Sequence, residues 1–246
     1  MLGTIILDSF KQTESAEIAK ALDDLCSPDD NYGWASTGVY SFFDVDTKET
    51  LYLGLAQDFA ERFRQHTGLH ACDAKCCKKE KIYEYFRRKE KLGFGIFGQS
   101  PLSQPTVRRN KKERTGFEDD DLAGLNYAKT AEGQLIEAYR LTHGKFPPWN
   151  AIGGAKKGQA KASKEHIAIV KSLSGNTESP IVARSTLREL SSDPVIESYE
   201  ETLHAARLLA AFDSDLMGAL TILNMHPGTN ISLETYIQYL QRTPKL

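Results

Sequence analysis

The sequence predicts an α+β protein in which a small antiparallel β-sheet is flanked by helices. Residues 39–45 alternate with a period of two, a polar turn follows at 46–49, and a second apolar run begins at Leu51, so these residues predict a β-hairpin. From residue 58 the apolar spacing becomes helical, and the last third of the chain is a series of helical segments. A basic insertion and an α-helical C-terminal region complete the predicted architecture.

The first helical segment precedes the hairpin. Residues 14–26 place Ile18, Leu22 and Leu25 at helical spacing, and the Ser-Pro-Asp-Asp-Asn stretch that follows ends the helix. We therefore assign residues 1–35 to an N-terminal helical extension that packs on the core. A separate binding role for this helix is the alternative.

A second helix is predicted directly after the hairpin. Asp58 followed three residues later by Glu61 is typical of a capping box, so the helix should begin there. Phe59 and Phe63 lie one turn apart, as do Arg62 and His66. The helix therefore carries one apolar stripe and one cationic stripe.

Residues 67–121 are predicted to be a basic insertion within a core of residues 36–155. Between residues 78 and 114 there are twelve Lys and Arg against four acids, a balance of +8 in a chain whose net charge is −2. Interleaved aromatic residues and cations suit a phosphate backbone, and a solvated charged face is the alternative. We expect a helix over 78–91 and a glycine-punctuated loop over 93–105. The predicted nucleic-acid contacts are Lys78, Lys79, Arg87, Arg88, Arg108, Arg109, Lys111, Lys112 and Arg114.

The cysteines do not predict a disulfide framework, because there are only four in 246 residues. His70, Cys72, Cys76 and Cys77 could in principle form a four-ligand zinc set. The Cys-x3-Cys-Cys spacing is not one of the tight spacings of common zinc sites. We therefore do not favour zinc and expect reduced, partly buried thiols.

Further along the chain, residues 128–141 predict a helix that ends before Gly144, a plausible C-cap. Residues 165–246 read as a helical C-terminal region. Its stretch from 178 to 246 has nine acids and five basic residues, a balance of −4. This region should cover the core, dimerise or bind a protein partner, and it is not expected to grip DNA broadly.

Five ordered elements lie along the hairpin, the second helix and two later segments. The chain contains the triplets Gly38-Val39-Tyr40 and Tyr52-Leu53-Gly54, then Arg62 ten residues after Tyr52, and His66 one helical turn later. The later elements are Glu132-Gly133-Gln134-Leu135-Ile136 and Asn150 after Trp149. Together these elements resemble the motif set of the GIY-YIG endonuclease family. The resemblance covers roughly residues 36–153 and implies a nuclease core of this family.

The resemblance implies a divalent-metal-dependent endonuclease that hydrolyses phosphodiester bonds. DNA is the expected substrate, RNA is not excluded, and a single Mg²⁺ or Mn²⁺ would be held by Glu132. Glu137 is the competitor for that role. The roles implied for the remaining residues are a base or water-orienting group (Tyr40), a positioning group (Tyr52), a phosphate clamp (Arg62), a hydrogen-bond partner or proton acceptor for Tyr40 (His66) and a residue that closes the site (Asn150).

Two departures favour a restriction-like or stand-alone member over an excision-repair one. Leu55 follows the second triplet where the repair members carry lysine, and position 66 is histidine where they have tyrosine. The alternative function is a catalytically silent nucleic-acid-binding or adaptor protein on the same fold.

The sequence also predicts a cytoplasmic protein without a membrane partner. The apolar run Gly3–Leu7 is too short for a signal peptide and has no basic segment before it. No stretch approaches the ~18 apolar residues of a spanning helix.

Overall fold

The computed structural model describes residues 3–26, 33–72, 77–99, 118–213, 215–224 and 232–246. Within these residues the fold is α+β, as predicted, and is built on a four-stranded antiparallel sheet of order β1-β4-β2-β3. The strands are β1 (Thr4–Phe10), β2 (Gly38–Asp44), β3 (Thr50–Ala56) and β4 (Leu92–Gly98).

The predicted helical segments are helical in the described residues, but the segment expected at 78–91 is helical only over Lys79–Phe86, and the one expected at 128–141 extends over Glu118–His143. No helix of the described residues is long and apolar enough to cross a membrane. The helices are α1 (Ser15–Cys26), α2 (Phe59–Thr67), α3 (Lys79–Phe86), α4 (Glu118–His143), α5 (Lys156–Gln159), α6 (Ile167–Ser172), α7 (Leu187–Ser192), α8 (Pro194–Asp213), α9 (Leu216–Asn224) and α10 (Leu233–Leu240).

The sheet is covered by helices on both faces, because side chains alternate across each strand. On one face Tyr40 and Phe42 of β2 pack into a core with residues of α1, α2 and α7. On the other face Val39 and Phe43 pack with Leu135 of α4 and with residues of α6. The hairpin therefore divides its aromatic residues between two separate cores.

Strand β4 differs from the predicted loop over 93–105. It lies between β1 and β2, so the segment predicted as an insertion contributes a central strand. Its glycines are required by packing: a Cβ at Gly93 would lie 2.3 Å from the ring of Phe43, and one at Gly95 would lie 2.7 Å from Leu7. Strand β1 likewise joins residues 1–35 to the sheet, so the predicted boundary after residue 35 does not separate two packing units.

The C-terminal region is attached to the sheet through β1. Val182 bridges Ile5 in parallel, and Arg188 of α7 forms an ion pair with the buried carboxylate of Asp8 at 2.9 Å. Helices α8, α9 and α10 then form a small core of their own. Arg207 of α8 ties that core back to β1 by donating to the hydroxyl of Thr4 at 3.0 Å.

Candidate active site

The β2–β3 hairpin brings two of the predicted site residues, Tyr40 and Tyr52, onto one face of the sheet. Tyr40 pairs with Gly54 and Phe42 pairs with Tyr52, which leaves the two tyrosine rings 5.8 Å apart between centroids. A Cβ at position 54 would lie 2.7 Å from the Tyr40 hydroxyl oxygen. The glycine of the second triplet is therefore needed to make room for the phenol of Tyr40.

Helix α2 places two cationic or titratable side chains over that phenol. The Asp58 side chain accepts a hydrogen bond from the Glu61 backbone N–H at 2.9 Å, which confirms the predicted N-cap. With the phenylalanine stripe of the helix buried, His66 Nε2 lies 2.6 Å from Tyr40 Oη, and Arg62 Nε donates to the same oxygen at 3.3 Å.

The hydrogen bonds of His66 define its tautomer. The backbone N–H of Lys78 donates to His66 Nδ1 at 2.9 Å, so Nδ1 carries no proton. Burial, followed by the charges of Arg62 and Lys78, lowers the pKa of His66 to about 3 and keeps the ring neutral. The proton therefore lies on Nε2 and is donated to Tyr40. The sequence contains no signal for this contact of Lys78, because it is made by the backbone.

The hydroxyls of Tyr40 and Tyr52 are hydrogen-bonded to each other. Burial, and then the nearby Tyr52, raises the pKa of Tyr40 well above its usual value, while Arg62 opposes that rise. Burial also raises the pKa of Tyr52, but the hydrogen bond from Tyr40 lowers it. Tyr40 is only 1% exposed, whereas Tyr52 is half-buried. Hydrogen bonds thus run from His66 through Tyr40 to Tyr52, which is the more accessible end.

Glu132 approaches this group from α4, on the other side of the sheet edge. Burial raises the pKa of the half-buried Glu132, while a hydrogen bond from the Leu55 backbone N–H and the charge of Arg62 lower it. The competitor Glu137 is engaged elsewhere, since Arg140 donates two hydrogen bonds to it at 2.8 and 2.6 Å. Of the two acids, only Glu132 is brought to the tyrosines and Arg62.

The side chain of Asn150 lies along the edge strand β3 and is hydrogen-bonded to the backbone of that strand. Its Oδ1 accepts from the Leu53 N–H at 3.0 Å, and its Nδ2 donates to the Leu53 carbonyl at 2.8 Å. The Trp149 N–H donates to the Leu51 carbonyl at 2.8 Å. Asn150 therefore binds the outward-facing N–H and carbonyl of Leu53, and Glu132 binds the next outward-facing N–H, that of Leu55. The two bonds of Asn150 attach residues 148–151 to β3.

The site suits a divalent cation only if solvent and substrate complete its coordination. Within the described residues no group of three or more His, Cys, Asp or Glu is placed to hold a metal ion. Mg²⁺ in phosphate-handling sites commonly takes one or two carboxylates, with waters and phosphate oxygens as the remaining ligands. A half-buried carboxylate such as Glu132, with the cation Arg62 nearby to oppose the rise of its pKa, fits that pattern.

The candidate zinc ligands are only partly described. Cys76 lies outside the described residues. His70 Nδ1 lies 2.7 Å from the Glu61 carboxylate, and the Cys72 thiol lies 3.9 Å from the side-chain oxygen of Gln65. Cys77 is half-buried.

The predicted nucleic-acid contacts separate into two groups. Lys78 lies beside the candidate site, with its ammonium 5.0 Å from the centroid of the Tyr52 ring. Lys79, Arg87 and Arg88 are exposed on or just after α3. The remaining predicted contacts, Arg108, Arg109, Lys111, Lys112 and Arg114, lie outside the described residues.

Comparison with known proteins identifies no relative of this chain. No protein-family model, no curated protein and no solved structure matches the chain. The class of site is therefore defined by the chain's own residues: a buried tyrosine whose oxygen faces a neutral histidine and an arginine, with a second tyrosine and one carboxylate at the edge of an antiparallel sheet.

Proposed function

We propose that this chain is a divalent-metal-dependent endonuclease that hydrolyses phosphodiester bonds in DNA through a single-metal site of the GIY-YIG type. The observation that carries the proposal is the convergence of two N–H donors, from His66 and Arg62, on the hydroxyl oxygen of Tyr40. N–H donors aimed at a phenol oxygen favour its deprotonated form. Tyr52 accepts a hydrogen bond from Tyr40, and the carboxylate of Glu132 lies close enough to Tyr52 for its charge to raise the pKa of that tyrosine.

In this proposal Arg62 binds the negative charge of the phosphate, and Glu132 binds the positive charge of the metal ion. The guanidinium of Arg62 can hold oxygens of the scissile phosphate through charge-assisted hydrogen bonds. Glu132 would hold the divalent cation, which when bound stabilises charge at phosphorus and acidifies water. Burial raises the pKa of Glu132, while the Leu55 backbone N–H and the charge of Arg62 oppose that rise.

The hydrogen-bonded tyrosine pair is the proton acceptor in this proposal. One tyrosine of the pair first releases its phenolic proton to solvent. As the water oxygen then bonds to phosphorus, one O–H bond of that water breaks and its proton passes to the phenolate oxygen, which restores the neutral tyrosine. The bond from phosphorus to the leaving oxygen breaks, and that oxygen takes a proton from solvent. An ordinary tyrosine costs roughly 4 kcal/mol to ionise at pH 7, and burial adds to this cost. The donors from His66 and Arg62 offset part of it.

A catalytically silent nucleic-acid-binding or adaptor protein on the same fold is the second candidate. It is favoured by the burial of Tyr40, which is only 1% exposed and has a pKa raised well above its usual value. Such a protein would retain the basic surface of α3 and bind DNA without cutting it.

The deciding experiment compares Glu132→Gln with the matched control Glu137→Gln on the same helix. Each protein is incubated with plasmid, single-stranded, branched and RNA substrates in Mg²⁺, Mn²⁺ or EDTA, and product ends are mapped. We expect metal-dependent cleavage by the wild type and by Glu137→Gln, and none by Glu132→Gln, with DNA binding in EDTA retained by all three. A dead Glu137→Gln beside an active Glu132→Gln would move the ligand to Glu137. Binding without cleavage under every condition would establish the silent protein.

A further inference from the structure

A pocket of about 410 Å³ opens beside the tyrosine cluster, between the start of α3 and residues 148–151. Lys78, Lys81, Trp149 and Asn150 contribute to its lining. Two of these residues also belong to the candidate site: the Lys78 backbone holds His66, and Asn150 is anchored on β3. The pocket is therefore continuous with the site, and its volume lies within the roughly 300–1,000 Å³ of small-molecule pockets.

The chemistry of the pocket combines a flat ring with two cations. Trp149 is half-buried and its indole packs against the rings of Tyr85 and Phe42, with centroids 6.1 and 6.2 Å apart. Its backbone N–H donates to β3, and the contacts with Tyr85 and Phe42 restrict the position of the indole. Among the described residues of the lining, the two cations Lys78 and Lys81 outnumber one acid, Glu80, which gives this part of the pocket a net positive charge.

We infer that this pocket binds an unpaired nucleotide next to the scissile phosphate, with its base on Trp149 and its phosphate at Lys78 and Lys81. Aromatic stacking with a nearby cationic groove is how proteins hold single-stranded nucleic acid. In an intact duplex both faces of a base are covered by its neighbours, so stacking on a fixed indole requires a base that has left the stack. The substrate is therefore single-stranded or locally unpaired DNA. This inference rests on the proposed function, which it deepens.

Tryptophan fluorescence provides a test that does not depend on cleavage. The chain has two tryptophans, and the other one, Trp34, is only 1% exposed, so quenching by a ligand reports on Trp149. The protein is titrated in EDTA with a ten-nucleotide single strand and with the duplex of the same sequence. We expect the single strand to quench the fluorescence and to bind at least about tenfold more tightly than the duplex. Equal quenching by the duplex would overturn the inference.

Variants separate the pocket from the basic surface. Lys81→Ala should weaken single-strand binding several-fold, whereas Lys171→Ala, which removes the same charge from an exposed position on α6, should not. Trp149→Leu, checked for folding by circular dichroism, should abolish the quenching. Equal effects of Lys81→Ala and Lys171→Ala, or quenching that survives Trp149→Leu, would also overturn the inference.

The two proposals fail in different ways. Quenching by the single strand without any cleavage would refute the nuclease and leave the nucleotide pocket standing. Cleavage of a duplex without single-strand quenching would refute the pocket and leave the nuclease standing.

Discussion

The two hydrogen bonds of His66 decide, at the scale of a single residue, what this histidine can do. Its Nδ1 accepts from the Lys78 backbone and its Nε2–H faces Tyr40, so both ring nitrogens are committed. Taking up a proton would create an imidazolium in a fully buried position close to Arg62, which the pKa of about 3 opposes. The geometry thus favours His66 as a donor that supports Tyr40 over His66 as the base.

Tyr40→Phe is the substitution that tests this division of roles. We expect single-turnover cleavage to fall by about 10²–10⁴, the range for loss of a general base. Because the buried His66 N–H loses its acceptor, the free energy of unfolding should also fall by about 1–3 kcal/mol. Tyr83→Phe, at an exposed tyrosine of α3, is the control for both measurements. A near wild-type Tyr40→Phe beside a dead Tyr52→Phe would make Tyr52 the sole acceptor.

The pH dependence of cleavage is a second test at this scale. With tyrosine as the acceptor and His66 already neutral, the single-turnover rate should rise about tenfold per pH unit from pH 6 to 9. It should show no inflection near pH 6.5, the ordinary pKa of histidine. A rate that levels off above pH 6.5, with the bend lost in His66→Gln, would return the base role to His66.

At the scale of elements, the free edge of β3 is the feature that organises the site. An edge strand presents unpaired backbone groups, and here these groups are used to dock side chains. Asn150 satisfies both the N–H and the carbonyl of Leu53, and Glu132 accepts from the N–H of Leu55. The strand that carries Tyr52 is thereby tied to α4 and to the pocket residues 148–151.

Asn150→Ala should therefore act mainly through the strand edge. Losing both bonds leaves two groups of Leu53 without partners, so we expect a loss of about 1–3 kcal/mol in the free energy of unfolding, measured by urea denaturation. Asn126→Ala, at an exposed asparagine of α4, should change it by no more than about 0.5 kcal/mol. If Asn150→Ala unfolds like the wild type yet no longer cuts, the side chain has a direct catalytic role instead.

For the whole molecule, buried histidines join the C-terminal helices and the site to the sheet. His204 of α8 lies 2.9 Å from the Thr4 hydroxyl of β1, and burial followed by Arg207 lowers its pKa to about 4. His66 holds the junction of α2, the hairpin and the start of α3. Both histidines are fully buried, so protonating either one places an unsolvated charge inside the fold.

The fold should accordingly be acid-sensitive in a defined window. Both pKa values are depressed in the folded state, to about 3 and about 4, so below the ordinary value near 6.5 the unfolded chain binds more protons. Stability should be fully present above pH 6.5 and fall as the pH drops toward 4, by about 1.4 kcal/mol per unit for each histidine. Urea midpoints at pH 7.5, 5.5 and 4.5 test this.

The matched variants for this prediction are two histidine substitutions. His204→Gln and His66→Gln should each weaken the fall in unfolding free energy between pH 7.5 and 4.5, because each removes one fully buried histidine. Identical pH profiles for the wild type and His204→Gln would contradict the assignment.

Local patterns in the sequence were sufficient for the hairpin and for the helix that begins after Asp58, whereas the pairing of His66 with Tyr40 was implied by the family resemblance. The period of two at 39–45, the Asp58 cap and the one-turn spacing of Arg62 and His66 depend only on residues close in the chain. Sequence alone therefore predicted the α+β class and a tyrosine hairpin facing a cationic helix stripe.

Three features depend on residues far apart in the chain and were decided only by the tertiary structure: strand β4, the position of Glu132 and the tautomer of His66. Strand β4 carries glycines that are typical of a loop, and only its packing against Phe43 and β1 explains them. Glu132 and Glu137 lie on one helix, and the approach of α4 to the β3 edge distinguishes them. The tautomer of His66 depends on a backbone N–H twelve residues away, at Lys78. Such choices are made by burial and by hydrogen bonds between remote segments, which no local pattern records.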